Sequence, residues 1–464
     1  MSSRKINIST KNPLSLAKAL HPLLSTGFIA FCGAGVSISP PSCSPSWWTL
    51  TEEIIQILFQ EAPPEWGVPT DLIIRDSQRQ PEEVLENFLN LLEERLYKAL
   101  DFLKRTQSNA THVALAKLAK VGILKACFTT NFDIFFEAAL KAEGVDYDLL
   151  VDNRQYDNYF QQYLKGQSKT PNKFILCKIH GTIERPDTIV SVASAYKTAK
   201  GFSLPKAAVF SSLISTYPCL FLGYSGWDFD HQNYRRFWER IGSRVQKIVW
   251  NRLPNESGSP DFSDIFRSCF DRFEFCEGVL PKDLMVALEN QLGSKISLRK
   301  VRLIPEARAE RIYEQAKFRR TNFLKTWVRG LSDVHKLGLV ITESRNFTQR
   351  FREFMQASKE QVEGTEAISF GYTEKFQELA EKYSRQEITP EEYQKQTMQL
   401  QLELQLKHIK VSHRALVLDT IQQNRYPGIT DNSGNVASYL SMVASLSKWF
   451  DPEETISLAL EYLQ

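Results

Sequence analysis

Short apolar runs alternate with amphipathic stretches along the first 290 residues of the chain. Phe28-Ile29-Ala30-Phe31-Cys32 is unbroken in apolar character and ends in glycines, the pattern of a strand buried on both faces. Residues 123–128, 174–179 and 219–222 repeat it, and 188–192 and 247–250 are further strand candidates. Between these runs the period changes to that of a helix. Ile54, Ile55, Leu58 and Phe59 share one face, behind Thr49 and Glu52 at capping-box spacing. Pro81-Glu82-Glu83 opens another helix, with Val84, Leu85, Phe88, Leu89 and Leu92 on one side. Residues 112–118 are also helical in pattern, and the chain turns at Gly122. Alternating strands and helices predict an α/β fold, a Rossmann-like parallel sheet with helices on both faces.

The pattern changes near Gly293, and residues 295–464 read as helix almost throughout. Thr389-Pro390-Glu391-Glu392 and Asp451-Pro452-Glu453-Glu454 each combine a cap, a proline at the first helical position and a glutamate at the third. Residues 393–411 contain neither glycine nor proline and suit one long helix. Two domains follow: residues 1–290, and an all-α C-terminal domain over 295–464. A length of 464 residues agrees with that number.

Apolar residues make up 42% of the chain and charged residues 24%, enough for a substantial core. The net charge of +3 imposes no nucleic-acid partner, although residues 295–329 are locally basic with Phe318, Phe323 and Trp327 interleaved. A nucleic-acid surface is one reading of that stretch. A solvated helix face with buried aromatics is favoured over it, and an acidic protein partner or subunit interface is a third. None of the seven cysteines forms a CxxC pair, which argues for reduced thiols and against a zinc ribbon. Cys32, Cys127, Cys177 and Cys219 lie in or beside strand candidates and are expected to be small buried hydrophobes. Residues 1–12 are polar without a secretory apolar segment, and no apolar stretch is long enough for a bilayer. Cytoplasmic residence without membrane contact is the expectation.

Chemistry-bearing residues collect where strand candidates end. Gly33-Ala34-Gly35 lets backbone amides approach a pyrophosphate, and Ser37 can add a hydroxyl; in isolation the run is equally a tight turn. Thr129-Thr130-Asn131-Phe132-Asp133 offers Asn131 to ribose hydroxyls or an attacking water, and Asp133 as an acceptor. Alone, Thr130 or Asn131 would be read as the cap of the next helix. His180-Gly181 places an imidazole at a strand's carboxyl end, able to act as a base or to polarise a sugar hydroxyl. His112, on a helix, reads as structural. Gly223-Tyr224-Ser225-Gly226 suits the adenosine half of a dinucleotide, or a glycine-rich turn with Trp227 packed over it.

Taken in order, these four motifs resemble the signature of the sirtuin-like NAD-binding fold (silent information regulator type), over about residues 12–290. The departures point to one branch. Residues 181–222 hold a single cysteine, Cys219, where deacylase sirtuins carry paired CxxC motifs. Residues 39–48 lack the arginine of the deacylase loop, and Thr130 stands where those enzymes have glutamine. These variants resemble the bacterial branch that hydrolyses NAD in anti-phage defence. The resemblance implies NAD as substrate, no metal, and cleavage of the nicotinamide–ribose bond. It implies that Asn131 holds water and ribose, that His180 acts as base on a ribose hydroxyl, and that Asp133 anchors the nicotinamide-ribose end. Gly33, Ala34 and Ser37 would cradle phosphate, with Gly35 and Thr130 among the nucleotide-binding residues, and Gly223 and Ser225 on the adenosine side. It further implies a switch, with residues 295–464 as sensor or assembly module, a homo-oligomer, and a defence partner of ATPase or argonaute type. The alternatives are an NAD-dependent protein deacylase or ADP-ribosyltransferase, and a non-catalytic module sensing NAD or ADP-ribose.

Overall fold

The computed structural model describes residues 26–63, 81–104, 107–165, 173–190, 202–226, 232–252, 272–277, 279–292, 303–343 and 365–423. The expected start signal at Asp451, the residues Trp227, Lys295, Arg299, Lys300 and Arg302, and the polar segment 1–12 lie outside them. Contacts divide the chain into two compact units. The first comprises Met1–Thr49, Gln80–Glu86 and Glu94–Arg320; the second comprises Leu50–Arg79, Asn87–Glu93 and Thr321–Gln464.

The first unit is built on seven parallel strands: β1 (Phe28–Cys32), β2 (Leu124–Thr129), β3 (Tyr147–Leu150), β4 (Phe174–Lys178), β5 (Cys219–Leu222), β6 (Ile248–Arg252) and β7 (Phe273–Glu277). Their order is β3-β4-β2-β1-β5-β6-β7. The chain winds away from β1 in one direction through β2, then returns to the other side at β5. The switch point of this doubly wound sheet therefore lies between β1 and β5, where such folds open a crevice.

Side chains of β1 alternate between two cores. Ile29 and Phe31 join Phe128, Ile175, Phe221 and Trp250 beneath the helices α5 (Asn153–Tyr159), α6 (Leu204–Thr216) and α7 (Gln232–Ile241). Phe28, Ala30 and Cys32 join Leu118, Cys127, Leu140 and Leu288 beneath α3 (Ala110–Lys120), α4 (Phe135–Glu143) and α8 (Pro281–Leu292). A central strand buried on both faces has no polar side, which is why β1 reads as a continuous apolar run. Cys32, Cys127, Cys177 and Cys219 are buried free thiols, as expected.

The sequence omitted β3 and β7, and the described part of its candidate at 188–192, residues 188–190, is not a strand. Pro186–Thr188 form a 3-10 turn instead. The amides of Ile189 and Val190 donate to Pro186 and His180 carbonyls, so they are unavailable to a ladder; 191 and 192 lie outside the described residues. Thr49 does not cap a helix either. Helix α1 (Trp47–Gln60) starts earlier, and Ser46 Oγ accepts from the Thr49 amide at 3.1 Å. Helix α2 (Pro81–Leu92) begins at its proline, as expected.

In the second unit, α10 (Thr365–Ser384) and α11 (Pro390–Gln423) pack together, with the Tyr383 and Tyr393 rings stacked 4.6 Å apart. Gly338 sits against the Leu91 and Met398 side chains, and Arg329 forms a two-point pair with Glu61. The basic helix α9 (Glu306–Arg329) exposes Arg308, Arg311, Lys317 and Arg319, but its aromatics are not all buried: Phe318 is 67% exposed. Among the described residues, no helix is long and apolar enough to cross a membrane.

Candidate functional site

All four motifs stand at the carboxyl ends of the adjacent strands β4, β2, β1 and β5. The first and last are locked together by backbone. The Gly33 amide donates to Leu222 and the Gly35 amide to Gly223, at 3.0 and 2.8 Å. A Cβ on Gly33 would lie 2.6 Å from the Gly223 carbonyl oxygen, and one on Gly223, whose φ is +55, would lie 2.6 Å from the Gly35 carbonyl carbon. Only glycine permits that approach. The amides of Val36 and Ser37 close a 3-10 turn onto Gly33 and Ala34. In the run 33–37, Ala34 is the amide without an acceptor among the described residues.

Ser37 is fully buried, and its hydroxyl is saturated. It donates to Asp133 Oδ2 at 2.9 Å, receives the Asn131 side-chain amide at 3.1 Å, and lies 3.2 Å from His112 Nε2. The Asn109 amide donates to His112 Nδ1, so the ring proton belongs on Nε2 and points at Ser37. One donor and two acceptor positions are thereby all filled, and the hydroxyl expected at a phosphate serves this network instead. Burial pushes the His112 imidazole down to about 3, so the ring is neutral. His112 is thus a buried residue of the helix, as read from the sequence, and it is tied to Ser37. The signal was present as Asn109 three residues ahead: Asn109 caps α3 through Thr111 and His112, and its side-chain amide donates to Val36 and Ser39 carbonyls.

Asp133 is buried, and its Oδ1 accepts from the amide of Phe135, the first residue of α4, at 3.2 Å. Asn131 is held from both sides, its amide donating to Thr129 Oγ1 and its side chain to Ser37. Burial raises the Asp133 carboxyl, opposed by the Lys178 charge and by the hydrogen bonds from Ser37 and Phe135. Lys178, the last residue of β4, pairs with Glu137 at 2.7 Å, an ion pair missed in the sequence because both residues looked like ordinary polar positions. A small cavity is lined by His112, Thr129, Asn131, Asp133 and Glu137.

His180 follows β4 and is 3% exposed. Gly181 has a φ of +89, and a Cβ there would fall 2.2 Å from the Thr188 carbonyl oxygen, so glycine is required where the chain turns back beneath the histidine. Beneath this turn Lys206 donates to the Ile179 carbonyl at 2.5 Å, and burial draws its ammonium down to about 8. Thr130 hands its amide to the Cys32 carbonyl. In the β5 turn, Tyr224 is buried and accepts from Trp250 Nε1, while Ser225 is half-buried. Hydrogen bonds thus join Ser37, Asn131 and Asp133 directly, whereas Gly223 and Ser225 reach the same edge through β5.

A parallel sheet with these loops at one edge agrees with what family comparison finds. Residues 125–263 match the SIR2-like domain. The stretch includes Asn131, Asp133, His180, Gly223 and Ser225. The chain is also similar to the NAD(+) hydrolase ThsA of Acinetobacter baumannii (strain 532279), at 26% identity over 212 residues, 46% of this chain and 39% of that protein. The chain therefore spans well under half the length of that relative. Two solved structures, "Sir2 bound to acetylated peptide" and "Sir2-p53 peptide-NAD+", align over 60% of this chain and 98% of theirs. Their identities are 14% and 16%, with TM-scores of 0.30 and 0.32, so the fold reading rests on the sheet described above.

Proposed function

We propose that this protein hydrolyses the nicotinamide–ribose bond of NAD+, giving nicotinamide and ADP-ribose. The observation that carries the reading is the buried network of Ser37, Asn131, Asp133 and His112, at the same sheet edge as His180. The similarity to the NAD(+) hydrolase ThsA of A. baumannii supports it. Nicotinamide leaves as a neutral molecule, so the reaction needs no strong acid at the leaving group; it needs an electron-rich site and a positioned water. Asp133 would face the nicotinamide-ribose end, and Asn131, fixed by Ser37, would orient water and ribose. His180 would take the proton from a ribose hydroxyl as positive charge develops at the anomeric carbon. Water adds at that carbon, one proton is released, and the atoms balance. The glycine contact between the β1 and β5 turns suits the pyrophosphate and adenosine side, near Ala34, Gly223 and Ser225. We read residues 295–464 as a sensor or assembly module for such an activity, in a homo-oligomeric cytoplasmic defence protein.

The test is NAD turnover by the purified chain, followed by chromatography, beside Asn131→Ala and His180→Ala. Nicotinamide and ADP-ribose are expected from the parent protein and to fall at least about 100-fold in either variant. Turnover that survives in both would overturn the site.

A further inference from the structure

We propose that Lys178 and Glu137 form a positioning pair that holds the Asn131–Asp133 loop in register with the His180 loop; the inference rests on the NAD-cleaving reading of that site. Lys178 is the last residue of β4, two positions before His180, and its side chain is 1% exposed. Its ammonium has four oxygen neighbours, the most distant being the Phe132 carbonyl at 3.5 Å. It donates to the Asp133 carbonyl, meets Glu137 Oε1 at 2.7 Å, and lies 3.4 Å from Thr182 Oγ1. Asp133 belongs to the loop after β2, Glu137 to the first turns of α4, and Thr182 to the turn two residues after His180. One side chain therefore touches both loops that present the reacting groups. The backbone adds a parallel tie, with the Ile183 amide donating to Phe132 at 3.0 Å.

The chemistry of the pair argues for direction over mere adhesion. An ammonium offers three donors in a tetrahedral arrangement, and no neutral side chain supplies as many from a single atom. Burying it is unfavourable, and so is burying Glu137, whose carboxyl is raised by burial against the pull of Lys178. An apolar pair of similar volume would hold α4 to β4 without that penalty. What an apolar pair would not provide is a donor to the Asp133 carbonyl, which Lys178 adds to the hydrogen bonds that Thr129, Ser37 and Phe135 make with Asn131 and the Asp133 carboxyl. Glu137 also lines the small cavity beside Asn131 and Asp133, so the pair stands at the site itself.

The test compares the full-length protein with the apolar double variant Lys178→Met/Glu137→Leu and with Glu137→Gln. Three readouts are taken: kcat and KM for NAD, the melting temperature, and amide hydrogen exchange across residues 130–136. The double variant is expected to melt near the parent temperature, to lose about 100-fold in kcat with little change in KM, and to exchange faster at 131–134. Glu137→Gln keeps the side-chain shape and is expected to lose about tenfold in kcat with the same exchange signature, should the double variant not fold. Parent-like kcat and exchange in a folded variant would overturn the pairing role. So would a loss of turnover that merely tracks the unfolded fraction. If the parent protein itself does not turn over NAD, the functional reading fails separately, and unchanged exchange at 131–134 still overturns the clamp.

Discussion

A buried imidazole that stays neutral has a consequence for acid stability. His112 titrates near 3 in the folded chain against 6.5 for the free group. Between those values the unfolded chain binds a proton that the folded chain refuses, so this contribution to stability is intact above pH 6.5 and is lost as pH falls towards 3. The full window corresponds to on the order of 5 kcal/mol. His112→Gln, which can still donate to Ser37, should unfold less steeply with acid, as measured by urea titrations at several pH values; equal pH slopes would refute the burial argument. At this scale the sequence revealed the groups with exposed chemistry. Asn131, Asp133 and His180 stood out because they follow apolar runs. The groups that orient them did not. Lys178 and Glu137 act through contacts more than 40 residues apart, which no local period marks; for His112 the local mark was Asn109, but its partner Ser37 lies 75 residues away.

Between β1 and α3, a single side chain carries a large share of the connection. Asn109 accepts from two amides at the start of α3 and donates to two carbonyls after the glycine turn. Asn109→Ala removes a helix cap and leaves two carbonyls without that donor, so a loss of about 2 to 4 kcal/mol is expected by chemical denaturation. A loss below about 1 kcal/mol would mean that water replaces it. Elements were legible in proportion to how completely they are buried. β1, β2, β4 and β5 are central strands with continuous apolar character. β3, at one edge, reads Tyr147-Asp148-Leu149-Leu150, and its mixed surface hid it. β7, at the other edge, carries Glu274 and Glu277 and was missed in the same way. Over 188–190 the strand candidate failed because apolar content alone does not tell a strand from a loop whose amides are already bonded elsewhere.

Taken as a whole molecule, the parallel α/β architecture followed from alternating periods, and the helical character of the C-terminal part from the absence of strand signals. The extent of the second compact unit did not, because it is made by contacts between distant segments. It draws Leu50–Arg79 and Asn87–Glu93 together with Thr321–Gln464. Leu50, Ile54, Leu58, Phe88 and Leu92 are buried, and a fragment ending at residue 320 lacks the rest of their unit. Such a fragment should be cut rapidly by protease within 50–61, whereas the full chain is protected there; equal protection would show that these helices need nothing beyond 320. The discontinuity also bears on the order of synthesis. A ribosome releases the apolar faces of α1 and α2 long before the residues that complete their unit are translated. Throughout that interval the nascent chain carries unfinished hydrophobic surface, so its yield should depend on chaperone supply and on the speed with which the codons for residues 321–464 are read.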